Sequence, residues 1–564
     1  MPFLLRSFYK VCYAIFIVIS INQSVVAEES TVLTAGAVAS PNSYGSMAAQ
    51  QILAKGGNAV DAAVATAFAL AVTYPEAGNI GGGGFMTLWV DGKGYFLDYR
   101  EVAPAKATTD MYLDNTGEVV ANLSLYSHKA VAVPGTVAGL WAAHQRFGKL
   151  SWQEVLAPAI SYAKDGFMVD EQLMQRYREV LDKVPANGNF KEYFGAMRIA
   201  QPFKQPELAV VLERIAEQGV NDFYQGETAK LIAKQMADNG GLITESDLNA
   251  YQAKWRDPLL ANWQGMQVIT APPPSSGGIG LLQLLLMKQA LVNDFKGVRP
   301  NTARYVHLLA EIEKRVFADR AEYMGDPDFV KVPVQQLLAT DYLAKRAKQV
   351  NPYAISPTEN IAAGLDTEKL QTTHFSIVDK WGNGVANTYT LNGYFGAGIV
   401  VKGTGILLNN EMDDFSSKAG VANLFGVVGS EANAIKPNKR PLSSMAPTIL
   451  TKDNKLVMVI GTPGGSRIFT SIFQVIVNVF EYHMTLQQAV SAPRYHHQLL
   501  PKNRIFIERF QHGVPRLVKT RLQQMGYNFH QQDFSGDIQV IQIINDKPSA
   551  VADPRGRGRA LIVE

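Results

Sequence analysis

The sequence predicts an α+β fold made of layered helices and sheets, and two features of the chain lead to this prediction. Residues from about 150 to 350 have mostly helical patterns, whereas the residues after 372 mix strand and helix patterns. The composition, 47% hydrophobic and 18% charged, is that of a globular chain with a large core. These patterns alone allow either two packed sheets or one sheet covered by helices.

The first elements are two helices and a strand on either side of a glycine-rich turn. A helix is predicted for residues 43–54, where Ser43 can cap the start and Gly56-Gly57 end the helix. Residues 60–72 are apolar on nearly every face, which is typical of a helix buried between layers. The four glycines at 81–84 allow close backbone approach and lead into a predicted buried strand, residues 85–90.

The middle of the chain is broken most sharply at residues 271–278, where consecutive prolines exclude a helix. An apolar helix is predicted directly afterwards, over residues 279–291. Residues 351–371 contain Pro352 and Pro357 and are expected to form a loose segment.

The pattern changes to strands after this loose segment. Residues 373–378 and 385–391 favour strands and flank a turn, so they are predicted to form a hairpin. Further strands are predicted near 405–410, 447–451 and 456–461, and helices near 466–482 and 514–525.

Charge and rare residue types exclude several classes of function. The net charge is only +3, and the sequence has no basic stripe of the kind that binds nucleic acid. Nine histidines and one cysteine show no metal-ligand spacing, and His496-His497 have no further ligands nearby. The glycines at 81–84 are not followed by the Gly-Lys-Ser/Thr of a phosphate loop. We therefore expect no cofactor, no metal and no nucleic-acid partner.

The first 27 residues have the pattern of a secretory signal peptide. Arg6 and Lys10 precede an apolar run, residues 11–21, which is shorter than the roughly 20 residues that span a bilayer. Small residues ending at Ala27 offer a cleavage site, and an uncleaved anchor is the alternative. The only cysteine, Cys12, lies inside this segment, so the mature chain has no disulfide. We expect a secreted protein, located in the periplasm if the host is Gram-negative.

Several sequence motifs together resemble the γ-glutamyltranspeptidase family, whose order and spacing they share. In the second half of the chain these are Gln371–Asp379, Thr388–Asn392, Leu407–Phe415, Asn438–Met445 and Gly461–Arg467, and in the first half Asn58–Met86, Tyr99–Glu101 and Ala132–Gly135. The resemblance implies the four-layer αββα sandwich of the N-terminal nucleophile hydrolases. It also implies a precursor that cleaves itself into a large subunit, residues 28–371, and a small subunit, residues 372–564, which form a heterodimer.

Cleavage before Thr372 has a chemical reason. A threonine hydroxyl is a poor nucleophile unless a base takes its proton, and the amide nitrogen of a chain-internal threonine is not basic. Cleavage frees an α-amine with an unperturbed pKa of about 7.7–8.0, which can act as the general base.

The resemblance also assigns roles in binding a γ-glutamyl donor, glutathione being the commonest. Its α-carboxylate would be held by a planar guanidinium and two hydroxyls, its α-ammonium by acceptor oxygens, and its oxyanion by backbone N–H groups. The residues implied for carboxylate binding are Arg100, Ser443 and Ser444; for ammonium binding Asn392, Glu411 and Asp414; and for catalysis Thr372, Thr390, Gly464 and Gly465.

Acceptors implied by the resemblance are water, amino acids and dipeptides. Two enzymatic alternatives share the implied fold, namely a glutaryl-type acylase and an enzyme that processes poly-γ-glutamate. The acidic pair Glu411 and Asp414 argues against the first, because glutaryl groups carry no ammonium. A periplasmic binding protein is the non-enzymatic alternative, but it leaves the Thr372 motif unexplained. Residues 416–439 resemble a lid loop, in which Phe425 stands where some bacterial members have a gating tyrosine.

Overall fold

The computed structural model describes residues 32–185, 188–358, 361, 372–418, 431–508, 510, 513–532 and 536–564. The signal segment 1–27, Gln371 and Phe425 lie outside the described residues. The strands are β1 Gly36–Ser40, β2 Gly83–Val90, β3 Lys93–Tyr99, β4 Phe167–Met168, β5 Pro202–Phe203, β6 Lys254–Arg256, β7 Leu259–Trp263, β8 Met266–Thr270, β9 Thr373–Val378, β10 Gly384–Thr390, β11 Ile399–Val401, β12 Ile406–Leu408, β13 Thr448–Lys452, β14 Lys455–Gly461, β15 Tyr495–His496, β16 Arg504–Glu508, β17 Asn528–Gln532, β18 Gln539–Ile544, β19 Lys547–Ala552 and β20 Arg559–Val563.

The helices belong mainly to the first two thirds of the chain. They are α1 Ser43–Ala54, α2 Ala59–Thr73, α3 Thr136–Phe147, α4 Trp152–Asp165, α5 Glu171–Leu181, α6 Phe190–Phe194, α7 Pro206–Gln218, α8 Val220–Tyr224, α9 Glu227–Asp238, α10 Glu245–Ala250, α11 Gly277–Ala290, α12 Val292–Phe295, α13 Ala303–Tyr323, α14 Val334–Leu337, α15 Thr340–Lys348, α16 Ile468–Phe480, α17 Leu486–Ser491 and α18 Arg516–Gln524. Within the described ranges, none of these helices is long and apolar enough to cross a bilayer.

Two large sheets form the centre of the molecule. The first has the strand order β20-β1-β9-β10-β2-β3-β6, and the second has the order β19-β18-β14-β13-β8-β7. Ala39, Val378 and Ala386 of the first sheet pack in one buried cluster with Ile449 and Val459 of the second. The sheets therefore lie face to face, as two packed sheets rather than one.

Helices cover the outer face of each sheet. The core outside the first sheet contains buried side chains of α1 to α5, and α2 is buried at every position, as its alanine-rich sequence predicts. The core outside the second sheet contains α11, α13 and α16. This order of layers is the predicted αββα sandwich.

Several predicted elements are confirmed, and others differ in detail. The hairpin forms as β9 and β10, and α11 follows the proline break as expected. The cap of α1 is Asn42 and not Ser43, because the Asn42 side chain accepts a hydrogen bond from Tyr44 N at 2.9 Å. The largely helical middle of the chain also supplies β6, β7 and β8, which the sequence did not predict.

Candidate active site

Thr372 lies directly before β9, at the wall of a buried pocket. Strands β9 and β10 are antiparallel neighbours in which Thr373 is opposite Tyr389. Continuing this register places Thr390, the last residue of β10, across from Thr372. Both threonines are buried, and both line the pocket.

His374 fixes the start of β9 between the two sheets. Its Nδ1 shares a hydrogen bond with Thr388 Oγ at 2.7 Å, and its Nε2 shares one with Ser376 Oγ at 3.1 Å. The Ser376 hydroxyl donates to the carbonyl of Gln539 in the second sheet. A Cβ on Gly461 would lie 2.3 Å from the His374 ring, so only glycine leaves room for the ring. Burial lowers the pKa of His374 to about 3, and the ring is therefore neutral.

Arg100 directly follows β3 and lies at the centre of the pocket charges. Its guanidinium is ion-paired with Glu411 and Asp414, and it also donates to the carbonyls of Pro441 and Leu442 at 3.3 and 3.2 Å. The Arg100 side chain is 1% exposed. A guanidinium at this depth is stable because every one of these partners is an acceptor.

The acidic side of the pocket is the short 3₁₀ turn Glu411–Asp414. Burial raises the pKa of Glu411 well above its usual range, and it raises that of Asp414, while Arg100 opposes both shifts. Beneath them, Glu101 is fully buried, and burial raises its pKa to about 7 against the attraction of Arg100. Three carboxyl groups thus lie in the field of Arg100.

Two buried acceptor oxygens in the pocket have no hydrogen-bond partner among the described residues: Asn392 Oδ1 and Glu411 Oε2. Asn392 follows β10 with a φ of 71°, and its backbone N–H donates to Thr390 Oγ at 2.8 Å. Its side-chain Nδ2 donates to the carbonyl of Asn410 at 2.9 Å. These bonds use the backbone donor and one side-chain donor of Asn392 and leave its Oδ1 able to accept from a ligand.

The proline-rich turn before α11 holds the serine pair in place. Ser443 N donates to the carbonyl of Pro274 at 2.9 Å, and Ser275 Oγ donates to the carbonyl of Met445 at 2.6 Å. Ser443 Oγ accepts from the backbone N–H of Met445 at 3.1 Å. Both Ser443 and Ser444 line the pocket. The proline-rich turn, which the sequence indicated only as a helix break, therefore holds Ser443 and Ser444 in the pocket wall.

The predicted glycine pair lies in the turn between β14 and α16. Gly464 and Gly465 both have positive φ, 143° and 53°. The φ of Gly464 is one that only glycine adopts without strain. Gly465 lines the pocket with Thr372, whereas Gly464 lies one residue further back in the turn and is not among its lining residues.

The pocket is lined by nine of the ten predicted site residues. The sequence missed a second arginine in the lining, Arg320 of α13, together with the apolar residues Leu442, Met445 and Ile468. The signal for Arg320 was weak: α13 is buried along most of its length, and a charge in such a helix needs a partner or a ligand. Within the described residues, no group of three or more His, Cys, Asp or Glu side chains could hold a metal ion.

A four-layer αββα sandwich with a threonine at the start of a central strand, facing a polar pocket, is the arrangement of an N-terminal nucleophile hydrolase. The model of the γ-glutamyltranspeptidase family matches residues 45–563. The chain therefore belongs to the γ-glutamyltranspeptidase family.

Similar proteins and solved structures support this assignment to the family. A glutathione hydrolase proenzyme from Pseudomonas aeruginosa is 57% identical over 98% of this chain and 99% of its own length. A γ-glutamyltranspeptidase from Pseudomonas nitroreducens, solved as a complex with L-DON, is 63% identical over 58% of this chain and 98% of its own, with a TM-score of 0.58. A cephalosporin acylase from Bacillus halodurans is 27% identical over 94% of this chain and 96% of its own, with a TM-score of 0.81.

Proposed function

We propose that this protein is a γ-glutamyltransferase and glutathione hydrolase that cleaves itself between Gln371 and Thr372 and then uses Thr372 as its nucleophile. Family membership and the high identity to a glutathione hydrolase proenzyme support the activity. The word proenzyme in that name agrees with self-cleavage. The position of Thr372, directly before a central strand and at the pocket wall, supports its role as the nucleophile.

The proposed chemistry has two steps. The freed amine of Thr372 takes the hydroxyl proton, and the hydroxyl oxygen attacks the γ-carbonyl of the donor. The C–N bond then breaks, the amine leaves with a proton, and a γ-glutamyl ester of Thr372 remains. The backbone N–H groups of the Gly464-Gly465 turn are suited to stabilise the oxyanion, a contribution of about 3–4 kcal/mol for such donors.

The observation that carries the proposed substrate is the arrangement of charges in the pocket. An α-amino acid presents an ammonium and a carboxylate on one carbon atom. The pocket presents the opposite pair side by side, with Arg100 next to Glu411 and Asp414. The unpartnered oxygens of Asn392 and Glu411 add acceptors for the ammonium. Ser443 and Ser444 add hydroxyls for the carboxylate.

The acylase alternative is not favoured. The cephalosporin acylase shares the fold at 27% identity, far below the 57% identity to the glutathione hydrolase proenzyme. A glutaryl group also has no ammonium, so its carboxylate would compete with Glu411 and Asp414 for Arg100 without offering them a second cation. Membership of an enzyme family likewise leaves no support for a binding protein.

Two subunits and a common intermediate follow from the proposal. We expect residues 28–371 and 372–564 to stay together as a heterodimer, since β9 and β10 of the small subunit lie between β1 and β2 of the large subunit in one sheet. The solved P. nitroreducens chain matches only 58% of this chain, although 98% of its own length is covered. A chain of that length is what a separate large subunit would give. The ester would pass its γ-glutamyl group to water, an amino acid or a dipeptide.

Export with loss of residues 1–27 remains part of the proposal. Intact-mass measurement of the protein from the periplasmic fraction of a Gram-negative host should show a chain that begins at Glu28. A cytoplasmic protein that keeps the first 27 residues would contradict export.

The test of the function combines a denaturing gel with a pair of chromogenic donors. The purified protein should give two bands, and the smaller one should start at Thr372. It should release the aniline from γ-glutamyl anilide much faster than from glutaryl anilide, which differs only in lacking the α-amine. A single band, or equal rates on the two donors, would overturn the proposal.

A further inference from the structure

Arg320 is a buried cation in the pocket wall that the proposed mechanism does not use. It lies in the last turn of α13 and is 8% exposed. Its Nε donates to Ser276 Oγ at 3.0 Å, and its Nη2 donates to Ser444 Oγ at 3.2 Å. Its Nη1 donates to no described residue, and no described carboxylate lies within ion-pair distance of it.

A buried guanidinium without an ion-pair partner is costly. Burial lowers the pKa of Arg320 to about 10, and the charge of Asp414 opposes this shift. The group is therefore still a cation at neutral pH. Because it lines the pocket, an anion that enters the pocket would supply the missing partner.

The hydrogen bond to Ser444 fixes the direction of the serine proton. A hydroxyl has one proton, and Ser444 Oγ accepts from Arg320. No described residue accepts the Ser444 proton, so it remains available to a ligand. Ser276 completes the arrangement, because it accepts from Arg320 and donates to the carbonyl of Ser443 at 2.8 Å.

We propose that Arg320 is a positioning residue for the α-carboxylate of the γ-glutamyl donor, acting through the hydroxyl of Ser444. Arg100 already shares its charge with Glu411 and Asp414, so a second cation offsets the negative potential that an entering carboxylate meets. The inference rests on the proposed function, in particular on carboxylate binding by Ser444.

The test is a double-mutant cycle with two donors. Arg320→Gln, Ser444→Ala and the double variant are each assayed with γ-glutamyl anilide and with 4-aminobutyryl anilide, which lacks only the α-carboxylate. We expect Arg320→Gln to raise KM for the γ-glutamyl donor about tenfold or more, with kcat changed less than about threefold. The KM for the 4-aminobutyryl donor should stay within about twofold of wild type, because the missing group is the one that Arg320 serves.

The cycle separates the two claims. If Ser444→Ala leaves KM for γ-glutamyl anilide unchanged, the proposed serine role is wrong and the inference falls with it. If Ser444→Ala raises this KM but costs the same factor in the Arg320→Gln background, Ser444 is correct and action of Arg320 through it is wrong. An equal effect of Arg320→Gln on both donors would show a general structural role and overturn the inference.

Two further variants serve as controls for effects on folding. Arg304→Gln removes an arginine from the first turn of the same helix, away from the pocket, and should leave KM for both donors unchanged. If Arg320→Gln fails to cleave itself, Arg320→Lys replaces it, since lysine keeps the charge but loses the fork. We expect a smaller rise in KM, again confined to the γ-glutamyl donor, and no rise would overturn the inference.

Discussion

The guanidinium of Arg100 is ion-paired with the carboxylate of Glu411 in a pocket where both side chains are 1% exposed. The two residues come from distant parts of the chain, one after β3 and the other in the 3₁₀ turn after β12. A ligand that carries both charges can replace this contact by two new ones without leaving a buried charge alone. A ligand with only one charge would leave either Arg100 or Glu411 without an opposite charge. The pocket should therefore favour ligands with an α-amino acid group.

The first prediction concerns the fork of Arg100. Arg100→Lys keeps the positive charge but loses the planar pair of donors that fits a carboxylate. We expect KM for γ-glutamyl anilide to rise about tenfold or more, equivalent to roughly 1.4 kcal/mol, with self-cleavage intact. Steady-state kinetics on the processed enzyme measure this. Arg178→Lys, at an exposed position of α5, is the control, and an unchanged KM in Arg100→Lys would remove Arg100 from carboxylate binding.

The second prediction concerns Asp414 and the choice between donors. Asp414→Asn should weaken binding of the α-ammonium and lower the ratio of kcat/KM for γ-glutamyl over glutaryl anilide. The reason is that the carboxylate of a glutaryl group competes with Asp414 for Arg100 and brings no ammonium in exchange, and a neutral amide at position 414 reduces this penalty.

Asp413→Asn is a close control for this change. Asp413 is also buried, but it accepts from Ser124 Oγ at 2.6 Å and does not line the pocket. Its substitution should leave the ratio between the two donors unchanged. The same ratio in Asp414→Asn as in wild type would mean that Asp414 does not read the α-substituent.

The third prediction separates Thr372 from its neighbour. Thr372→Ala should remain a single chain without activity, because the hydroxyl that attacks is gone. Thr373→Val should still cleave, since Thr373 Oγ is buried without a hydrogen-bond partner among the described residues and valine has nearly the same shape. Gel analysis and N-terminal sequencing measure both. Cleavage before residue 372 in Thr372→Ala would point to an outside protease.

The sequence predicted the elements that carry local signals. Helix α2 is apolar on every face, and the β9–β10 hairpin has a glycine turn between β-branched runs, so both could be assigned from nearby residues alone. Strands β7 and β18 were not predicted, although each forms a hairpin with its neighbour in sequence, β7 with β8 and β18 with β19. Their places in the second sheet depend on partners far away in the chain, such as the pairing of β14 with β18.

The pocket residues also divide into those that the sequence predicted and those that depend on distant contacts. Motifs in order predicted the residues that the resemblance covers, and nine of those ten lie together in the pocket. Arg320 was not predicted because it is far from the motifs in the sequence and meets them only in the folded structure, where it donates to Ser276 and Ser444. An amphipathic pattern shows that a helix is buried, but not which loop its charged residue will meet.

The fourth prediction is a pH dependence of stability that comes from His374. Its pKa is about 3 in the folded protein, against about 6.5 for an unfolded histidine. Between these values the unfolded chain binds a proton that the folded one does not, so stability falls as pH falls from about 6.5, by up to about 1.4 kcal/mol per pH unit.

Thermal midpoints measured from pH 7 to pH 4 test this contribution. His374→Gln should show a shallower decline than wild type, because glutamine binds no proton in either state. His530→Gln, at an exposed position, should follow the wild-type slope. An equally steep decline in His374→Gln would show that other groups account for the acid sensitivity.

The last prediction concerns the acyl-enzyme. If the γ-glutamyl group becomes an ester of Thr372, the leaving amine departs before any acceptor reacts, and water and acceptor compete for one intermediate. A good acceptor such as glycylglycine should divert the product from glutamate to γ-glutamyl-glycylglycine, and it should speed release of the leaving group where deacylation limits the rate. Activity should also rise with pH as the Thr372 amine loses its proton, since only the neutral amine can act as base.

The decisive measurement uses several donors with different leaving groups at one fixed acceptor concentration. A common intermediate has no memory of its leaving group, so the ratio of transfer to hydrolysis must be the same for all of them. A ratio that changed with the leaving group would mean that the amine is still bound when the acceptor attacks. In that case the free ester of Thr372 could not be the species that partitions, and direct transfer within a ternary complex would have to replace it.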